Sequence, residues 1–218
     1  LPDFSDGFDV YAGWEITRKG DNSLTPEQNR LLAYGAPLFL YNDDNVDSLE
    51  STAGTDTLKE MLEEWWEVTD RKSALETISW LLNEGQHAGA DPALTEIRQR
   101  GIEAITEEEK ADEDSKIGDA FTIAEFVMGV NETTEADLPE TVLAWDFVRA
   151  VNMARWAFIC GYINEDEMWE AIRTTAGIAK ESFNSWEEYG NSFAVGRGIW
   201  RGETDDYETA DEVVGALL

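Results

Sequence analysis

His87 is the only histidine among 218 residues, and histidine is the one side chain whose unperturbed charge change falls near neutrality. Its usefulness as a general base depends on a carboxylate to orient it. The most conspicuous carboxylate is Asp146, set with Arg149 and Arg155 in the apolar run LAWDFVRAVNMARWAFICGY. Charges inside an apolar helix must be paired, solvated in a cleft or used. Asp146 and Arg149 are three residues apart, so they can pair on one helix face. Arg155 is nine residues from Asp146, about 180° around the helix, and faces elsewhere. His87 and Asp146 are therefore the candidate catalytic groups. Arg149 and Arg155 are candidate bidentate donors to an anionic ligand, with Trp145 and Tyr162 as aromatic neighbours. The plainer reading makes Asp146 and Arg149 a structural ion pair and Arg155 a brace for a neighbouring loop. Breaking a buried pair costs about 3–5 kcal/mol, enough to account for such residues without a substrate.

Other chemistries find little footing. Cys160 is the only cysteine, so an intrachain disulfide and a cysteine-based zinc site are both excluded. It stands at the end of an apolar helical run, where the negative end of the dipole disfavours a thiolate. The expectation is a buried structural thiol. One histidine and no cysteine cluster give no expected metal site. No Gly-rich phosphate loop and no Gly-x-Ser-x-Gly elbow is present, and no cofactor is expected.

Charge narrows the partners. There are 47 acidic against 16 basic residues, a formal net charge of −31. Such a field repels polyphosphates, so no nucleic-acid binding is expected. The acidity reads as a solvated surface, as a means of recognising a basic partner, or as mimicry of DNA by carboxylates. Nine tryptophans point to a substantial core under any of these readings. No run approaches the roughly 18 apolar residues needed to span a bilayer. The first residues, LPDFSDGFDV, lack a basic region followed by an apolar one. A soluble, cytoplasmic chain with no membrane association follows as the expectation.

Helix signals position the candidate residues. Residues 1–24, rich in glycine and aromatics, read as an irregular N-terminal segment, and residues 25–218 as a single helical domain. Thr25-Pro26-Glu27-Gln28 is a capping box with proline at the first helical position. Gly35 and Pro37 are expected to break or end that helix. Leu58, Met61, Leu62 and Trp65 recur at helical spacing, and a second helix runs through Leu75, Ile78 and Leu81 to Gly85. Asp91-Pro92 predicts another helix start, and Thr106 opens a capping box before a weakly apolar stretch. The run from about Pro139 to Cys160 is apolar nearly all round, which predicts a central helix with Trp145 and Trp156 buried. Asn164 and Ser185 cap two further helices, and Gly190 and Gly196 let a neighbour approach closely. No convincing strand emerges. The fold class expected is all-α, a multi-helix orthogonal or bundle-like domain with a central apolar helix and little or no sheet.

Three stretches, AWDFVRAVNMARWAFICGYINEDEMWEAI, ESFNSWEEYGNSFAVGRGIW and, more loosely, EEWWEVTDRKSALETISWLLNEGQHAG, resemble bacterial domain-of-unknown-function family 1266. The resemblance covers residues 57–92 and 138–202. It implies a helical bacterial domain without an established activity. The family pattern has a Gly-His pair after the second helix, whereas Gln86 here separates Gly85 from His87. The chain is thus expected to be a binding or interaction module with a protein partner. The alternative is an enzyme or anionic-ligand-binding protein with its site near His87 and the Asp146/Arg149/Arg155 helix. An acidic DNA mimic or inhibitor is the third reading.

Overall fold

A computed structural model describes residues 10–11 and 13–218. Helix dominates, as α1 (Pro26–Leu32), α2 (Ala36–Tyr41), α3 (Thr55–Trp66), α4 (Arg71–Asn83), α5 (His87–Arg100), α6 (Glu107–Lys110), α7 (Ile117–Asn131), α8 (Leu143–Ile159), α9 (Glu165–Ser182), α10 (Trp186–Arg201) and α11 (Thr204–Leu217). Among the described residues the strands are β1 (Val10–Tyr11) and β2 (Trp14–Glu15), a two-residue antiparallel pair. The fold is all-α. Of the segment expected to be irregular, residues 1–9 and 12 lie outside the described residues.

The chain divides into two compact units. The first takes in the described residues of Leu1–Asn83 together with Phe147–Asn184 and Gly215–Leu218. Thr25 caps α1 as its sequence predicts, its hydroxyl accepting from the Gln28 N–H while the Gln28 side chain returns the bond. Gly35 and Pro37 do not end the helical path. A 3-10 turn, Ala33–Gly35, leads directly into α2, where Pro37 sits in the first turn and needs no intrahelical donor. Gly35 is required by closeness: a Cβ there would lie 2.6 Å from Val151 Cγ1 of α8. Its carbonyl accepts from the Asn152 side chain at 3.1 Å. In α9, Asn164 and Glu167 form a reciprocal capping box, and Arg71 at the start of α4 donates from Nε to that same Glu167 at 2.7 Å.

From Phe147 onward α8 is the core of this unit. Phe147, Val148, Val151, Met153 and Ala154 are fully buried, and Trp156 is 6% exposed. Trp156→Ala is expected to destabilise the chain by about 3–5 kcal/mol, since a buried ring leaves a cavity that its neighbours refill only in part. Urea denaturation of the purified variant measures this. A loss below about 1 kcal/mol would remove α8 from the core.

The second unit comprises Glu84–Asp146 and Ser185–Val214. In it α7 packs against α10 and α5. Small residues set these approaches: a Cβ on Gly196 would lie 2.7 Å from Trp145 Cβ, and one on Gly190 would collide with Val214. Trp145 is 2% exposed and packs on Phe193 and Trp200, with ring centroids at 5.6 and 5.4 Å. The capping box at Thr106 produces only a single turn, α6, because Lys110 is followed by polar residues with nothing to bury. That turn is anchored by Arg100, which donates to Glu109 Oε1 at 2.6 Å and to the Ala104 carbonyl at 2.7 Å.

The Arg100 guanidinium, with help from Thr106, holds the Glu109 carboxyl down at about 2. A depressed folded-state pKa contributes stability that is present above the ordinary carboxylate range and lost as pH falls toward that value. A carbon-detected titration should find Glu109 still ionised at about pH 3, and Arg100→Ala should raise its pKa toward the ordinary carboxylate range, the Thr106 bonds holding it somewhat below. An unshifted Glu109 in the intact protein would contradict the contact.

Candidate functional site

Within the second unit, the starts of α5 and α8 exchange caps. The helix bearing His87 begins at His87 itself, four residues before the Asp91-Pro92 start that its sequence suggests. Pro92 therefore lies inside α5, where it forgoes the bond to the Ala88 carbonyl. Asp91 is free of the N-cap duty expected of it and serves another helix. Its Oδ1 accepts the Val142 N–H at 2.8 Å and its Oδ2 the Thr141 hydroxyl at 2.7 Å, at the entry to α8. Asp146, in the first turn of α8, does the converse. Its Oδ1 accepts the Gln86 N–H at 3.0 Å and its Oδ2 the His87 N–H at 2.9 Å, at the entry to α5. Each carboxylate satisfies orphan donors at the start of the other's helix, where the positive end of the dipole favours a negative charge.

The imidazole joins the same carboxylate. His87 Nδ1 lies 2.8 Å from Asp146 Oδ2. An ionised carboxylate can only accept, so Nδ1 carries the proton and the basic nitrogen of the neutral ring is Nε2. The Asp146 side chain is fully buried and that of His87 is 16% exposed. Gly85 makes the cradle possible. Its φ is +46°, a left-handed conformation, and a Cβ there would stand 2.5 Å from the Asp146 carboxyl carbon. Burial raises the Asp91 pKa, opposed by its bonds to Thr141 and Val142 and by nearby His87, and supported by the charge of Asp146.

The other candidates belong to different surroundings. Arg155, fully buried in the first unit, reaches into the loop between α2 and α3. It pairs with Asp44 through Nη1 at 3.1 Å, and its remaining donors reach the carbonyls of Leu49 and Glu50 at 3.4 and 2.5 Å. Asp44 in turn accepts the N–H groups of Asn45 and Thr52 and the hydroxyl of Ser51, each at 2.8 Å. Arg155 also lies over the Phe39 ring, 4.5 Å from its centroid. Burial lowers its pKa against the opposing charge of Asp44. The Arg149 guanidinium lies 5.7 Å from the Trp66 ring centre. Trp145 takes the Arg197 guanidinium over its ring at 5.5 Å. Tyr162 follows α8 beyond Gly161, whose φ is +76°; burial raises its phenol pKa, with Cys160, Glu63 and Asp70 adding to it. Cys160 is buried and desolvation raises its pKa, which marks an inert thiol.

The structure thus brings His87 and Asp146 together, as one candidate site required, and gives Arg155 to the loop carboxylate Asp44. Three residues of these clusters were not singled out from sequence as partners: Asp44, Gly85 and Asp91. Asp91 carried a signal, since its N-cap-like pairing with Pro92 marked a capping carboxylate, although the helix it caps is a different one. Among the described residues no group of three or more His, Cys, Asp or Glu side chains is placed to hold a metal ion. No described helix is long and apolar enough to cross a membrane.

A family model described as "Protein of unknown function (DUF1266)" matches residues 61–217. The chain belongs to domain-of-unknown-function family 1266. The match takes in α4 through α11, and with them both halves of the exchanged caps and the whole of α8. No curated protein and no solved structure matches the chain.

Proposed function

We propose that this member of the family acts by binding a protein partner. The observation that carries the reading is on α3. Leu58, Met61, Leu62 and Trp65 form one apolar row at helical spacing, and Leu58 and Leu62 are buried as that row requires. Trp65 lies within about 20° of Leu58 around the helix, yet it is 77% exposed. The row runs beyond the core that covers its first two turns. An indole left in water at the end of an amphipathic row is a feature of binding surfaces, whose anchoring residues are enriched in tryptophan. The charged residues inside the fold support the same reading. Asp146, Asp91, Asp44 and Arg155 hold backbone groups and loop hydroxyls in place.

A photo-crosslinking residue at position 65 in the full chain tests this. The expected result is one defined crosslinked protein, identified by mass spectrometry, that binds the purified chain and loses affinity with Trp65→Ala. Crosslinking no stronger than from exposed position 103 would overturn it.

One observation favours a second reading. The 2.8 Å contact of His87 Nδ1 with buried Asp146 is the arrangement of an oriented general base. Under it, a panel of ester, amide and phosphoester substrates should include one turned over by the wild-type chain. A His87→Gln variant of unchanged melting temperature should lose that turnover.

A further inference from the structure

The partner's chemistry can be taken further, and this step rests on the binding reading above. We infer that the exposed end of α3 receives a basic protein segment, one that places an apolar side chain and a neighbouring arginine or lysine on the indole of Trp65. Two rows lie side by side on this helix. Met61 and Trp65, four residues apart, form the uncovered apolar edge; Glu60 and Glu64, at the same spacing, form the edge beside it. Glu60, Glu64 and Trp65 are exposed and Met61 is half-buried. Among the described residues neither Glu60 nor Glu64 holds an ion pair, whereas Glu76, Glu96, Glu107 and Glu167 each have a basic partner. Glu63 and Glu67 are exposed at the same helix end, and Lys59 is the single basic residue of α3.

The charge decides among occupants. A second copy of the chain would bring another formal −31 to an acidic edge, and an anionic lipid surface would be repelled for the same reason. A neutral apolar segment would cover the indole and leave the glutamate row without counter-charges. A segment with alternating apolar and basic rows satisfies both edges at once. Arginine is the better match, because its flat guanidinium stacks on an aromatic face while its stem covers apolar surface. The fold already uses this contact at the neighbouring residue, where Arg149 lies over the Trp66 ring at 5.7 Å.

A synthetic helical peptide with leucines and arginines in adjacent i, i+4 rows provides the probe, with calorimetry on the full chain at low and physiological salt. Binding should weaken at least tenfold in Trp65→Ala, a substitution at an exposed position that leaves the melting temperature unchanged. The double substitution Glu60→Gln/Glu64→Gln should weaken it several-fold and flatten its salt dependence. The equally charged control Glu103→Gln/Glu108→Gln, at exposed positions of the second unit, should bind as the wild type does. The inference is overturned if Trp65→Ala binds the peptide unchanged, or if the control pair weakens binding as much as the α3 pair, which would mean attraction by bulk charge. It is also overturned if sedimentation shows self-association lost in Trp65→Ala, which would assign the face to a second copy. A specific crosslink from position 65 without affinity for the basic peptide would sink the basic-partner inference and leave the binding reading standing.

Discussion

Replacing Arg155 by alanine is expected to lower stability by about 3–5 kcal/mol. The guanidinium is fully buried, and its removal leaves the buried Asp44 carboxylate without its counter-charge and takes a donor from the carbonyls of Leu49 and Glu50. A general rule holds that a buried ion pair can be exchanged for apolar residues of similar size at little net cost. It should fail here. Asp44 also accepts the N–H groups of Asn45 and Thr52, so Asp44→Leu together with Arg155→Met leaves the loop backbone unsatisfied. The double variant should remain about 1–2 kcal/mol less stable than the wild type, the scale of losing partners for part-buried backbone donors. Denaturant melts of both variants check this. Full recovery in the double variant would show that the loop does not depend on Asp44.

Asp146→Ala should cost about 2–4 kcal/mol, because the N–H groups of Gln86 and His87 both lose their acceptor at the entry to α5. Asp146→Asn should not rescue it well. An amide offers one oxygen to two converging N–H groups and turns its own NH2 toward the other. The loss should be local as well as global: amide exchange at Gln86, His87 and Ala88 should accelerate beyond the fall in overall stability. A change under about 1 kcal/mol with exchange unaltered would mean that water or another group replaces the carboxylate.

Much of this fold was legible in the residue pattern. Thr25, Thr106, Asn164 and Ser185 each open a helix because a short polar side chain can reach its own N3 amide, an interaction contained within four residues. The burial of Trp145 and Trp156 followed from an apolar run with no polar face on which a helix could turn to water. Asp91 escaped for the opposite reason. Its partners are about fifty residues away along the chain, and local spacing contains nothing of that distance. The same holds for Arg155 and Asp44, separated by 111 positions. Trp65 misleads more instructively. Periodicity places it on the buried row, but whether a row is covered along its full length depends on where the neighbouring elements stop, and that is a tertiary property. The candidate pair His87 and Asp146 was proposed on residue type alone; the sequence held no sign that one carboxylate would take both the ring and the backbone of the histidine.

The crowding at Gly85 limits how this part of the chain can change over generations. A methyl group at position 85 would stand 2.5 Å from the Asp146 carboxyl carbon, on a backbone at φ +46°. Position 85 is therefore closed to every other amino acid while position 146 holds aspartate. Position 146, for its part, gives up aspartate only by leaving two amides without their acceptor. Either substitution made first is costly, so rebuilding the turn before α5 by insertion or deletion is the less costly way out of this arrangement. Gln86, placed between the glycine and the histidine, stands in just such a turn, and length variation is the kind of history to look for there.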